Sequence, residues 1–324
     1  MKKGEFVISG ALAGLVLMLF IMAQGQWQAP ALKAVAQHAE AYLRKQAKVA
    51  GSLPQLSGYD QARVYALDRE LRGVLYRSTA VTLGFAPGRL IIYNRLQQPL
   101  YSLNTLEGAR DNWTAIYDFA GHHGMPVRGG RPAPLYLRDI NGDGKAEMIV
   151  GHYSGGNRCC TTVTVLEVNP FSLEPIARLR GLEGWPFDGL EVRRLGRAHT
   201  WELIVHRPAP TACGPDSDAA NVISVYAYGN GKYSDQTGKF GNYLEGALRE
   251  DLARWAREQS PPISLLQTLA VLYAELGQPD RAKKFFTENL PRFAPSLQQQ
   301  GIDPSACLSD VDNLVDSLGK PPSP

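Results

Sequence analysis

The rhythm of apolar and polar positions changes twice along the chain. An unbroken apolar run from Phe6 to Ala23 comes first, directly behind Lys2-Lys3. From about residue 60 to 240 the apolar residues fall into short β-branched and aromatic runs, separated by Gly, Pro, Asn and Asp. Val81-Thr82-Leu83, Leu90-Ile91-Ile92-Tyr93, Met148-Ile149-Val150, Thr162-Val163-Thr164-Val165-Leu166, Leu203-Ile204-Val205 and Val222-Ile223-Ser224-Val225-Tyr226 are therefore predicted strands. Beyond Tyr243 the period lengthens. Leu244, Ala247, Leu248, Leu252 and Trp255 recur at helical spacing, and Pro261-Pro262 break the chain before a second helical stretch.

These changes divide the chain. Residues 1–25 read as a signal peptide or a membrane anchor, because positive residues ahead of an apolar run form an export signal. The run is long for a signal core and at the lower limit for a span, and Ala23 and Gly25 offer small residues for cleavage, so both forms stay open. Residues 26–58 read as a juxtamembrane helix and linker, with strong helix formers over 31–50 that stop at Gly51. A β-repeat domain is expected over 59–241, an α-helical region over 242–318 and a disordered tail over 319–324. The fold class is mainly β with helical ends (α+β): propeller-blade-like β repeats plus a C-terminal helical hairpin.

Two stretches of the β region look like copies. Residues 135–152 resemble residues 189–206, most clearly where Glu147-Met148-Ile149-Val150 meets Glu202-Leu203-Ile204-Val205. Arg194, Gly196 and Ala198 stand in the second copy where Asp139, Asn141 and Asp143 stand in the first. A weaker third copy runs from Val64 through Tyr93. Repeats of this size suit one small sheet each, and three are fewer than normally close a propeller.

Composition narrows the function. Hydrophobic residues make up 44% of the chain and charged residues 20%, so a sizeable core is expected. A net charge of +3 with interspersed signs does not make a nucleic-acid footprint. Four cysteines in an exported chain favour disulfides, and Cys213 is expected to pair with Cys159 or Cys160. His122-His123, between two glycines, could ligate a metal but read more readily as solvated loop residues, and Gly151-His152-Tyr153-Ser154-Gly155 is not a nucleophile elbow, since its serine stands one place late.

The strongest chemical motif is Asp139-Ile140-Asn141-Gly142-Asp143-Gly144-Lys145-Ala146-Glu147. Oxygen side chains fall at loop positions one, three, five and nine, and glycine falls at six, where a sharp turn is needed. Lys145 at position seven offers its backbone carbonyl. Alternate residues of a tight loop converge on one centre, and calcium, a hard cation with several oxygen ligands, requires that convergence. Position twelve is Val150 rather than a bidentate glutamate, so the loop is expected between two strands, Leu135-Tyr136-Leu137 and Met148-Ile149-Val150, and not in an EF-hand.

Residues 135–168 resemble the FG-GAP/VCBS repeat family of extracellular β domains. They combine the Asp-x-Asn-x-Asp-Gly loop with a later Ser-Gly-Gly, Cys-Cys and Thr-rich segment typical of a bacterial subgroup. The resemblance implies calcium held by Asp139, Asn141, Asp143 and Glu147 in an extracytoplasmic, usually non-catalytic module. Residues 265–290 resemble a single tetratricopeptide hairpin, with Leu266, Leu269, Ala270, Tyr273, Ala282 and Phe286 at packing positions and Gly277 at the turn. The combined expectation is a binding or scaffolding module at the cell envelope. It would meet the membrane through its N-terminal segment and a protein or envelope partner through the hairpin. The alternatives are an envelope hydrolase with a site in a β-repeat groove, and an assembly subunit that docks through its helices.

Overall fold

The computed structural model describes residues 55–80, 85–108, 113–120, 135–154, 160–169, 171–196, 199–215 and 219–318, all within one compact unit, Gln55–Pro324. The N-terminal apolar run, Val81-Thr82-Leu83, His122-His123, Cys159 and the C-terminal tail lie outside the described residues.

Three antiparallel sheets of four strands each follow in sequence. The first comprises β1 (Gln61–Ala66), β2 (Leu71–Arg77), β3 (Phe85–Asn94) and β4 (Pro99–Gly108). The second comprises β5 (Thr114–Ile116), β6 (Glu147–Tyr153), β7 (Thr161–Asn169) and β8 (Ser172–Leu182). The third comprises β9 (Leu190–Arg193), β10 (Glu202–Ala209), β11 (Ala220–Gly229) and β12 (Lys232–Asp235). In each sheet every strand pairs with its neighbour in the chain, and none of the sheets closes into a barrel. Five α-helices complete the described chain: α1 (Gly241–Arg257), α2 (Ile263–Glu275), α3 (Pro279–Asn289), α4 (Ala294–Gln299) and α5 (Pro304–Leu318). The architecture is α+β, with the helices gathered at the C-terminal end. None of the described helices is long and apolar enough to cross a membrane.

The sheets stack in order. Side chains of a strand alternate between its two faces, so each run of buried residues splits between two cores. Met148 and Val150 of β6 meet Tyr65, Leu75, Leu90 and Ile92 of the first sheet. Ile149, between them, meets Leu190, Val192, Leu203 and Val205 of the third. On β10 the same division recurs, with Ile204 turned away from the second sheet into a core shared with α2, α3 and α5. Both faces of the second and third sheets are therefore covered. That is why β6 and β10 read as continuous apolar runs and not as alternating ones.

The stretch Leu135-Tyr136-Leu137 does not form the expected strand. Its neighbour Arg138 makes one isolated bridge to Glu147, and Leu135 remains exposed. The free edge of β6 is already taken: β5 pairs with Val150, Gly151 and His152, and Tyr117 continues it by donating to the Ile149 carbonyl. Only the first residue of β6 is left for the incoming segment.

Cys213 also departs from expectation. It is bonded to Cys307 on α5, with the Cα atoms 4.4 Å apart, and not to Cys159 or Cys160. The β10–β11 loop leans onto the helices. There Thr211 Oγ1 donates to Gln267 Oε1 at 2.6 Å, and the Ala212 amide donates to Asp310 Oδ2 at 2.9 Å. Cys160, just before β7 of the second sheet, is itself disulfide-bonded and has a left-handed φ of 91°.

Candidate metal centre

The acidic loop leads from Arg138 into β6. Two glycines let it turn, since Gly142 and Gly144 both adopt left-handed backbone, with φ of 78° and 88°. Around those turns the loop binds its own backbone. Asp139 Oδ1 accepts from the Gly142 amide at 2.7 Å, and its Oδ2 accepts from Gly144 at 3.0 Å. Asn141 Oδ1 accepts from the Asp143 amide at 2.9 Å, and Asp143 Oδ1 accepts from Lys145 at 2.8 Å. The Asn141 amide group adds a bond to Asp143 Oδ2 at 3.1 Å. Burial works against ionisation of Asp143, but these donors outweigh it and hold its carboxyl below the ordinary value.

Glu147 closes the loop from below. Its side chain is fully buried. Oε2 accepts from the Ile140 amide at 2.8 Å and from Asn141 at 3.3 Å, while Oε1 has no partner. Burial first, then the charges of Asp143 and Asp139, push this carboxyl up to about 7 against the two amides. The β6–β7 register sets Glu147 directly opposite Glu167. Carboxylate oxygens of Asp143, Glu147 and Glu167 lie within 4.8 Å of one another. Glu167 is also buried, and its Oε1 accepts from Lys145 Nζ at 2.5 Å. Lys145, expected to offer its backbone carbonyl, has its ammonium on the acidic cluster.

Sequence reasoning placed Asp139, Asn141, Asp143, Lys145 and Glu147 in one loop and missed Glu167. The missing signal was the register of the β6–β7 hairpin, which alone brings a glutamate 20 positions further on beside Glu147.

The second copy shares the frame without the acids. Glu202 is buried and opens β10, pairing with Arg193 as Glu147 pairs with Arg138. Its Oε2 accepts from the Leu195 amide at 2.7 Å, and Leu195 stands where Ile140 stands in the first loop. Arg194 here lies over the Trp201 ring, together with Arg138 of the first loop, at 5.0 and 4.2 Å. Where the first loop carries the Asp139 carboxylate, the second carries the Arg194 guanidinium over an indole.

Other polar groups of the described residues lie outside the loop. Ser154 Oγ donates to the Cys160 carbonyl at 2.9 Å rather than to an imidazole. Glu107 Oε1 accepts from Thr114 Oγ1 at 2.6 Å, and that hydroxyl lies 2.9 Å from His152 Nδ1. This buried chain joins the first sheet to the second, and burial lowers the His152 pKa, favouring its neutral form. A groove of about 500 Å³ on the first sheet is lined by Arg89, Tyr93, Tyr101, Ser102 and apolar neighbours, with no carboxylate or histidine.

Comparison with protein-family models and with curated proteins finds no match for this chain.

Proposed function

We propose that this chain is a non-catalytic, calcium-stabilised β-repeat module of the FG-GAP/VCBS type that serves binding or scaffolding at the cell envelope. The observation that carries the proposal is Glu147: a buried carboxylate with one oxygen unpaired, facing two further carboxylates beneath a tight acidic loop. A buried charge without a partner is costly, and a hard divalent cation with oxygen ligands supplies the missing partner. The resident groups fit such an ion. Asp143 and Glu147 present carboxylates, and Asp139 and Asn141 stand in the loop around them. Bound calcium would relieve the mutual repulsion of the carboxylates and fix the loop against β6; it performs no reaction.

Three stacked four-stranded sheets support the blade-like reading. Lys2-Lys3 with the apolar run supports export, and a disulfide suits an oxidising compartment. The helical hairpin lends little to an assembly role, because no large exposed apolar residue lies in the described helices.

Thermal melting in millimolar calcium and in chelator tests the proposal. The wild-type melting temperature should rise with calcium, by the equivalent of about 2.7 kcal/mol at a hundredfold excess over Kd. Asp143→Ala should abolish the rise. Identical wild-type melts in both conditions, with no binding by titration, would reduce the loop to a turn.

A further inference from the structure

We infer that the divalent cation is seated by Asp143, Glu147 and Glu167, and that Lys145 is a tethered counter-cation which must leave Glu167 before the ion enters. The inference rests on the calcium reading and changes both its ligand set and its control. Four observations support it.

The first is register. Glu147 and Glu167 face each other across β6 and β7, and like charges directly opposite on neighbouring strands destabilise a sheet. Both are buried, so water does little to screen them. The second is the state of the loop oxygens. Both Asp139 oxygens and Asn141 Oδ1 already accept backbone amides, and the Asp143 oxygens accept from the Lys145 amide and the Asn141 side chain, whereas Glu147 Oε1 has no partner and is the open ligand around which the others gather. The third is convergence, since one oxygen each from Asp143, Glu147 and Glu167 falls within 4.8 Å of the others. Carboxylates bind calcium through one or both oxygens, and the exposed side of Asp143 admits water to complete the shell.

The fourth is Lys145. It follows Asp143 by two residues, its side chain is half exposed, and its ammonium meets Glu167 at 2.5 Å. Glu167, not the lysine, is the buried partner. A single ammonium cannot neutralise three carboxylates, and a long flexible stem lets it swing into solvent. A divalent ion brings twice the charge to the same place. Ion entry and lysine departure are thus one exchange, and the lysine sets how much calcium is needed.

Calcium titration calorimetry on the full-length protein and three variants tests this, with circular dichroism confirming that each is folded. Lys145→Gln removes the competitor and should tighten calcium binding by about tenfold. Glu167→Gln should weaken it by about tenfold or more, and Asp139→Asn should change it less than Glu167→Gln does. Normal affinity in Glu167→Gln with binding lost in Asp139→Asn would overturn the inference and leave a conventional loop site, with the calcium reading intact. Binding seen in Lys145→Gln but not in wild type would support the lysine as a closed latch while refuting constitutive calcium stabilisation. Absence of binding in all four proteins would refute both.

Discussion

Buried carboxylates carry most of the chemistry at the scale of single residues, and Glu275 shows what one costs when no ion is in question. It ends α2 with its carboxyl turned inward. Oε1 accepts from the Ile223 amide at 3.1 Å, and Oε2 is shielded from water without a partner. Burial, with the charge of Asp235 adding to it, pushes its pKa up to about 8 from an ordinary 4.5. The folded state therefore holds a proton that the unfolded chain releases at lower pH. The stabilisation is complete below pH 4.5 and falls away as pH rises towards about 8, by an amount on the order of a few kcal/mol. Glu275→Gln keeps an acceptor for Ile223 and has no proton to lose. Its melting temperature should decline less than that of the wild type between pH 5 and about 8.5, and exceed it at the upper end. Parallel pH curves for the two proteins would contradict this. Position in sequence revealed Asp139, Asn141, Asp143 and Glu147 because they share one loop. It could not reveal Glu167 or the destination of the Lys145 ammonium, because both depend on strand register.

Among the elements, α2 is the most deeply placed, with every residue from Ile263 to Ala274 but one buried. One face packs on Ile204, Ile223 and Val225 of the third sheet, while Ala282 and Phe286 of α3 and Val311 and Val315 of α5 close the same core. The hairpin turns at Gly277, with φ of 73°. Phe286→Ala should cost about 3–5 kcal/mol, the usual penalty for emptying a fully buried aromatic site. The loss should appear as one shifted denaturation transition when sheet and helix signals are followed together. A helical transition that moves while the sheet signal stays fixed would mean that the hairpin folds by itself. The hairpin was legible through its resemblance to a tetratricopeptide unit, whose packing positions fall on Leu266, Leu269, Ala270, Tyr273, Ala282 and Phe286, and all six are buried. Strands β3, β6, β7, β10 and β11 were legible from their β-branched runs. Leu135-Tyr136-Leu137 is apolar but has no open edge to join, and edge availability is a property of the sheet, not of the segment.

For the molecule as a whole, the disulfide is the longest covalent tie among the described residues. It joins the β10–β11 loop to α5 across 94 positions, and both cysteines are buried. Closing a loop of that length is worth about 4–5 kcal/mol in the chain-entropy account. Cys307→Ser should therefore lower stability by about 2–5 kcal/mol in chemical denaturation. In the native wild-type protein the bond should resist reductant until the helices open. Rapid reduction with no change in melting would contradict this. The pairing could not be read from spacing, because it follows from where α5 docks.

The strict succession of strands has a consequence for how the chain reaches this state. Every sheet pairing joins neighbours in sequence, so most strands find their partners across a few residues and lose little chain entropy in doing so. The β5–β6 step is the exception, with some thirty residues between Ile116 and Glu147. The acidic loop lies at the far end of that excursion. The slowest closure within the sheets and the proposed cation seat thus meet at one point, and an ion bound there would act on the assembly of the second sheet as well as on its persistence.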